Sequence, residues 1–233
     1  NYNGFFNQCR SLCCKYSATA LNSNFSFFFL MKILVVASYA PSLINFRRHL
    51  LELMIQRGHQ VYVAAPFYGK SSKLVLQKLD SMSLSAHSVA FRRGGLNPFT
   101  DFFTLLQLGV LFVRLRPDSI ISYTVKPIIF SGVILKFFQY FRLFRSISFV
   151  ALVTGLGYAF TDDVRVHKRS ILKKFLMFLY KIGLSRANSV VFQNPDDLAF
   201  FRDSNLLSSA SSVSRVWGSG VDIESSSDTE VLE

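Results

Sequence analysis

Short apolar runs of strand length alternate with stretches of helical length from residue 33 to residue 217, and this alternation leaves few architectures open. Residues 33–37 are a continuous apolar run followed by a Pro41-Ser42 loop. Over residues 43–57 the side chains Leu43, Phe46, Leu50, Leu53 and Met54 recur every three or four positions, which predicts one helix capped by Gly58. Residues 60–65 read as a second strand ended by Pro66, 71–79 as a helix and 88–91 as a third strand. Pro98 opens a helix reaching about residue 116, Pro117-Asp118 stops it, and 119–123 is a fourth strand. Pro127 sits in a first helical turn and leads into 128–138. A fifth strand spans 146–153, and a helix over 168–184 carries Ile171, Leu172, Phe175, Phe178 and Leu179 on one side. Residues 189–192, 195–203 and 213–217 follow as strand, helix and strand.

Strands that are apolar throughout, rather than at every second residue, are buried on both faces. Helices between them supply the covering layers, so the expected fold class is α/β, a doubly wound, mostly parallel Rossmann-like sheet. Ligands of such sheets bind beyond the carboxyl ends of the strands. The loops at 38–45, 66–70, 92–97, 123–127, 154–162 and 193–197 should therefore rim one crevice.

Charge narrows the partners. Residues 31–218 hold 24 of the 26 Lys and Arg but only 9 of the 14 acids, a net of +15, whereas 219–233 hold five acids and no cation. A body this basic is drawn to phosphates or to anionic lipid surfaces. No zinc-finger, RNP or helix-turn-helix pattern is present and the cations are scattered through apolar segments, which argues against nucleic acid. The 25 Phe cluster at 25–30, 99–103, 137–149 and 175–201. They read either as core or as aromatics that dip into a bilayer interface. No stretch reads as a membrane span, because Lys126 and Lys136 interrupt 119–138 and Arg114 and Arg116 close 105–115.

Cys9, Cys13 and Cys14 all precede Met31, so disulfides do not hold the body together, which suits a reducing cytosol. Residues 1–30 show neither period and read as an extension outside the fold. A signal peptide competes with that reading, but no small-residue cleavage site follows Leu30.

Ser38-Tyr39-Ala40-Pro41-Ser42 follows the first strand where a dinucleotide fold would carry G-x-G-x-x-G. P-loop, nucleophile-elbow and HExxH patterns are missing too, and His49, His59, His87 and His167 share no ligand spacing, so no metal is implied. What remains is a set of polar segments at strand and helix ends. Asn45-Phe46-Arg47-Arg48-His49-Leu50 and Arg57-Gly58-His59-Gln60-Val61 bracket the first helix. Tyr123-Thr124-Val125-Lys126-Pro127 closes the fourth strand, and Thr154-Gly155-Leu156-Gly157-Tyr158-Ala159-Phe160-Thr161 follows the fifth. Phe192-Gln193-Asn194-Pro195-Asp196-Asp197 closes the sixth, and Gly218-Ser219-Gly220-Val221-Asp222 follows the last.

These residues, taken in order over about 31–222, resemble the family-4 glycosyltransferases of GT-B fold, and among them the bacterial enzymes that build lipid-linked polysaccharide precursors. The resemblance implies retaining transfer of a sugar from a nucleotide sugar to a polyprenyl-linked saccharide, with no cofactor and no metal. It implies a peripheral enzyme on the cytoplasmic face of the inner membrane. Residues 31–217 would be the N-terminal, acceptor-side domain. Residues 218–233 would begin the segment leading to the donor domain, whose Arg/Lys and Glu-x7-Glu elements do not follow in this chain. A partner chain supplying the donor half would make this one a non-catalytic acceptor-binding subunit. A nucleotide-binding reductase is a further alternative, which the missing glycine fingerprint disfavours.

Each site residue has a chemical role and a plainer one. Lys126 could pair with a diphosphate, or be a surface Lys before a Pro turn. Gly155 and Gly157, and after the last strand Gly218 and Gly220, could let backbone amides approach a phosphate or sugar, or simply turn the chain. Asn194, Asp196 and Asp197 could bind sugar hydroxyls, or cap and charge a helix start. Arg47 and Arg48 could face anionic lipid, or solvate the outer face of their helix.

Overall fold

The computed structural model describes residues 30–92, 97–142, 147–155, 166–207 and 212–218. Among them seven strands, β1 (Lys32–Val36), β2 (Gln60–Ala65), β3 (Ser85–Ser88), β4 (Ser119–Tyr123), β5 (Ser148–Val153), β6 (Ser189–Phe192) and β7 (Ser212–Arg215), pair in the order β3-β2-β1-β4-β5-β6-β7. Every pair is parallel, with Val36 opposite Ala64 on one side of β1 and opposite Ser122 on the other.

Among the described residues seven helices connect the strands: α1 (Pro41–Asn45), α2 (Arg48–Gln56), α3 (Lys70–Ser81), α4 (Pro98–Leu115), α5 (Val125–Tyr140), α6 (Val166–Leu184) and α7 (Pro195–Asp203). Because successive strand side chains point to opposite faces, the sheet feeds two cores. Ile33, Val35, Val63, Ile121 and Leu152 pack with α1, α2 and α3. Leu34, Val36, Ile120, Phe149 and Phe192 pack with α4, α5, α6 and α7. The centre of the second layer is tied by a hydroxyl pair, Ser122 Oγ to Ser131 Oγ at 2.8 Å. It is tight as well: a Cβ built on Gly132 of α5 would lie 2.1 Å from the carbonyl oxygen of Gly183 on α6. The two helices approach at a distance only glycine permits.

Several elements differ from the sequence expectation. The helix over 43–57 is two helices, because Phe46 and Arg47 leave helical angles (φ −123° and −125°) where Arg47 turns inward. The third strand lies at 85–88, not 88–91. Its residues are largely polar, and it is recognised by its backbone ladder to β2 rather than by burial; Val89 and Phe91 are core residues of the loop that follows. The helix expected over 128–138 runs from Val125 to Tyr140. Phe175 and Phe178 of α6 face outward, while Leu176 and Tyr180 carry the packing. α4 is long and apolar enough to span a membrane by length and composition, contrary to the expectation, although its Thr104, Leu108, Leu111 and Phe112 are buried in the domain.

The outer surface of the second layer is apolar in places. Phe99, Phe102, Phe103, Leu106, Val110 and Val113 are exposed along α4, Phe137, Tyr140 and Phe141 around the end of α5, and Phe175 and Phe178 on α6.

Candidate functional site

The helices after β1 and β4 leave to opposite faces of the sheet, so the carboxyl ends of these neighbouring strands form the topological switch point, where open α/β sheets hold ligands. Hydroxyls line it. Ser38 Oγ and Thr124 Oγ1 lie 2.7 Å apart across the two strand ends. Ser42 Oγ donates to the Tyr39 carbonyl at 2.5 Å, so the proton of its 2.9 Å contact with Tyr123 must come from the phenol. Burial pushes that phenol up to about 12, with the Arg47 charge acting the other way, and it stays a neutral donor at physiological pH. Thr124 holds φ +71°, a conformation a β-branched residue rarely adopts, at a cost of about 1–3 kcal/mol. Its hydroxyl bond to Ser38 is one restraint that keeps it there.

The sequence-named residues separate at this edge. Lys126, in the first turn of α5, places Nζ 2.7 Å from Asp101 Oδ1 in the first turn of α4, with both side chains mostly buried. It is therefore not a loose surface lysine. A cation at a helix start opposes the helix dipole, and the Asp101 carboxylate offsets it. Gly155, one strand over, holds φ +150°, and a Cβ there would meet nothing within 4 Å. Asn194 accepts the Asp196 N–H at 2.9 Å, so its carbonyl oxygen serves as a helix cap. Asp196 is exposed in the same first turn.

Asp197 is the unusual member. It is only 6% exposed, and its Oδ2 has no hydrogen-bond partner among the described residues. Burial and then the neighbouring Asp196 raise its pKa above the ordinary carboxylate value. The Tyr180 hydroxyl is likewise buried without a partner among the described residues, and burial followed by the Asp197 charge pushes it up. The Tyr180 ring packs edge-to-face on Phe201, which packs edge-to-face on Phe192. Gly218 turns the chain after β7 at φ +66° in open surroundings. Gly157 and Gly220 lie outside the described residues.

Lys126, Gly155, Asn194, Asp196, Asp197 and Gly218 thus share one edge in strand order, spread over β4 to β7, about 15 Å at 4.8 Å per strand. The arginines do not join them. Arg47 is 5% exposed, its guanidinium 5.1 Å from the centroid of the Tyr123 ring, and it donates to the Phe46 carbonyl at 3.3 Å. It cannot face lipid or solvent, and both readings of it are corrected: it braces the α1–α2 corner against the switch point. Arg48 is exposed and bridges Glu52 at 2.8 Å on α2.

A cavity of about 190 Å³ opens at the ends of β1 and β2, lined by Ser38, Tyr39, Pro41, Tyr68, Ser72 and Phe91 among others. Tyr68 reaches across it to donate to the Phe91 carbonyl at 2.6 Å. The loops at 38–45 and 66–70 were expected to rim the crevice, but Tyr39, Tyr68 and Asp101 carried no motif that would single them out. Another cavity, about 230 Å³ beside Ile44, Arg48 and Met82, lies within the α1–α3 layer, apart from these hydroxyls. His59 and His87 are half-buried and their pKa values lowered, chiefly by burial and then by Arg57 and Arg114 respectively. Among the described residues no group of three His, Cys, Asp or Glu could hold a metal ion.

No known family and no curated protein matches the chain. Solved structures do match its fold. A glycosyltransferase from Rickettsia africae ESF-5 superposes with TM-score 0.52 and 13% identity over 80% of this chain and 42% of that one. Sucrose-phosphate synthase from Thermosynechococcus elongatus gives 0.52 at 12% identity, covering 80% and 47%. UDP-N-acetylglucosamine 2-epimerase from Rickettsia bellii gives 0.54 at 10% identity, covering 82% and 45%. The chain spans less than half the length of each. The class defined by the fold is one Rossmann-like half of a GT-B chain, with a seven-stranded parallel sheet.

Proposed function

We propose that this chain is the acceptor-side half of a glycosyltransferase that moves a sugar, with retention, from a nucleotide sugar to a polyprenyl-linked saccharide. It works on the cytoplasmic face of the membrane, and a second Rossmann-like half, in the same polypeptide or a partner chain, binds most of the donor. One observation carries the reading: the polar segments 123–127, 193–197 and 218 fall in order along a single carboxyl edge, in a parallel sheet that superposes on part of a glycosyltransferase. Lys126, held at the mouth by Asp101, has two further N–H bonds to offer a diphosphate. The open backbone at Gly155 lets an amide approach a phosphate or sugar oxygen. Asp196, exposed at the start of α7, can accept from sugar hydroxyls.

The fold is shared with an epimerase, so the test separates the two chemistries. The chain is expressed together with a polypeptide that supplies the donor half, in a bacterial membrane fraction given radiolabelled nucleotide sugars, and label is followed into lipid extract and into the free nucleotide-sugar pool. Transfer predicts label in a lipid-linked saccharide that depends on Lys126. An epimerised nucleotide sugar with no labelled lipid contradicts it.

A further inference from the structure

The two helix layers differ in a way that assigns one of them a partner. On α4, Phe99, Phe102, Phe103, Leu106, Val110 and Val113 recur every three or four residues along a single exposed stripe, with Phe99 79% and Phe103 63% exposed. The helix is about 27 Å long. Along α4, α5 and α6 the sequence places eight Lys and Arg against one acid. That acid, Asp101, is already spent on Lys126. Arg114, Arg116, Lys136, Arg142, Lys174 and Lys181 are exposed on these helices or just past their ends. The other acids on the described helices of this layer lie on α7, at the β6–β7 end of the sheet.

We propose that the outer face of α4, α5 and α6 is the membrane-docking surface, with the α4 stripe set into the headgroup boundary of an anionic bilayer and the exposed cations of the three helices on its phosphates. The proposal rests on the membrane placement in the reading above and replaces Arg47 as its contact. Charge decides the occupant. A second copy of this face would set the eight Lys and Arg of these helices against the same eight, with Asp101 the one acid on them. A nucleic acid would match the cations but leave six large apolar side chains in water. An anionic lipid surface matches both. The docking also has a direction. α4 begins at the carboxyl edge of the sheet, so its most exposed aromatics, Phe99, Phe102 and Phe103, flank the Asp101–Lys126 pair at the crevice mouth. A lipid-linked diphosphate would emerge from the bilayer beside that lysine.

The test is flotation of the full chain with vesicles of phosphatidylglycerol and phosphatidylcholine, against vesicles of phosphatidylcholine alone, with no sugar substrate present. Binding is expected with the anionic vesicles and is weakened by salt. Phe102→Ser with Phe103→Ser reduces it by about tenfold or more, as does Arg114→Glu with Lys136→Glu. Leu74→Ser with Leu76→Ser, on the opposite layer, leaves it unchanged. All four aromatic and basic positions are exposed, and an unaltered melting temperature shows that the variants fold. Vesicle binding that survives the α4 variants overturns the proposal. So does a chain that self-associates through α4 while its vesicle binding ignores the same substitutions, which would make the stripe a protein interface. Vesicle binding through α4, with no labelled lipid even when the donor half is supplied, overturns the functional reading and leaves the docking surface standing.

Discussion

The same sheet is covered by two helix layers that meet solvent differently. α1, α2 and α3 carry four Lys and Arg and two acids, and their exposed charges include the Arg48–Glu52 bridge. α4, α5 and α6 carry eight cations and one acid, and expose aromatics instead. Inward, both layers bury the same kind of side chain against strands that are apolar on both faces. The contrast teaches that burial alone does not place an apolar residue: in the second layer the helices are apolar on more than the face the sheet needs, and the surplus marks a surface with another use.

The largest test of the comparison strikes the tighter layer. Gly132→Val forces a side chain into the Gly183 backbone and is expected to cost about 3 kcal/mol or more, a large drop in melting temperature. On α4, by contrast, a Cβ at Gly109 meets nothing within 4 Å, so Gly109→Ala should gain about 1 kcal/mol. Equal losses at the two positions would mean that α5 and α6 do not touch as described.

The ion pair at the crevice mouth comes next. Asp101→Ala leaves Lys126 mostly buried without its partner and should cost about 2 kcal/mol. In a double-mutant cycle with Lys126→Ala the losses should fall well short of additive, and strict additivity would break the pairing.

Asp197 gives a pH signature. The folded carboxyl holds its proton more tightly than the unfolded one, because burial and then Asp196 raise its pKa. Its contribution to folding is therefore fully present below the ordinary carboxylate value, about 4, and is lost as pH rises through the folded value. Asp197→Asn should be more stable than the parent at neutral pH, with the advantage shrinking as pH falls toward about 4 in urea titrations. A destabilised variant at neutral pH would mean that the carboxylate has a partner. The smallest effect is expected in the first layer, where Arg48→Ala breaks an exposed i,i+4 bridge and should change stability by less than about 0.5 kcal/mol.

Much of the fold was legible because fully apolar strands announce themselves. The fourth and sixth strands and the last helix, 119–123, 189–192 and 195–203, fall where the pattern put them. β3 was displaced because an edge strand is defined by backbone pairing, to which its Ser85, His87 and Ser88 side chains give no clue. Phe175 and Phe178 share a side with Ile171, Leu172 and Leu179 in the pattern, and periodicity alone does not show that they face outward while Leu176 and Tyr180 pack. Strand-end position places Lys126, Gly155 and Asp197 at the carboxyl edge, where the structure has them. Arg47 was misplaced, because only tertiary packing shows that its guanidinium lies over Tyr123. The Asp101 partner of Lys126 lies 25 residues earlier, a separation local spacing does not reveal.

The central claim is that the carboxyl edge receives a lipid-linked saccharide. It is tested most directly by hydrogen exchange on the chain with and without a short-chain polyprenyl-diphosphate disaccharide. The account predicts slowed amide exchange at 123–127 and 193–197, at the starts of α5 and α7, and the loss of that protection in Lys126→Ala. Protection confined to α1, α2 and α3, or none at any concentration that retains the fold, would contradict it.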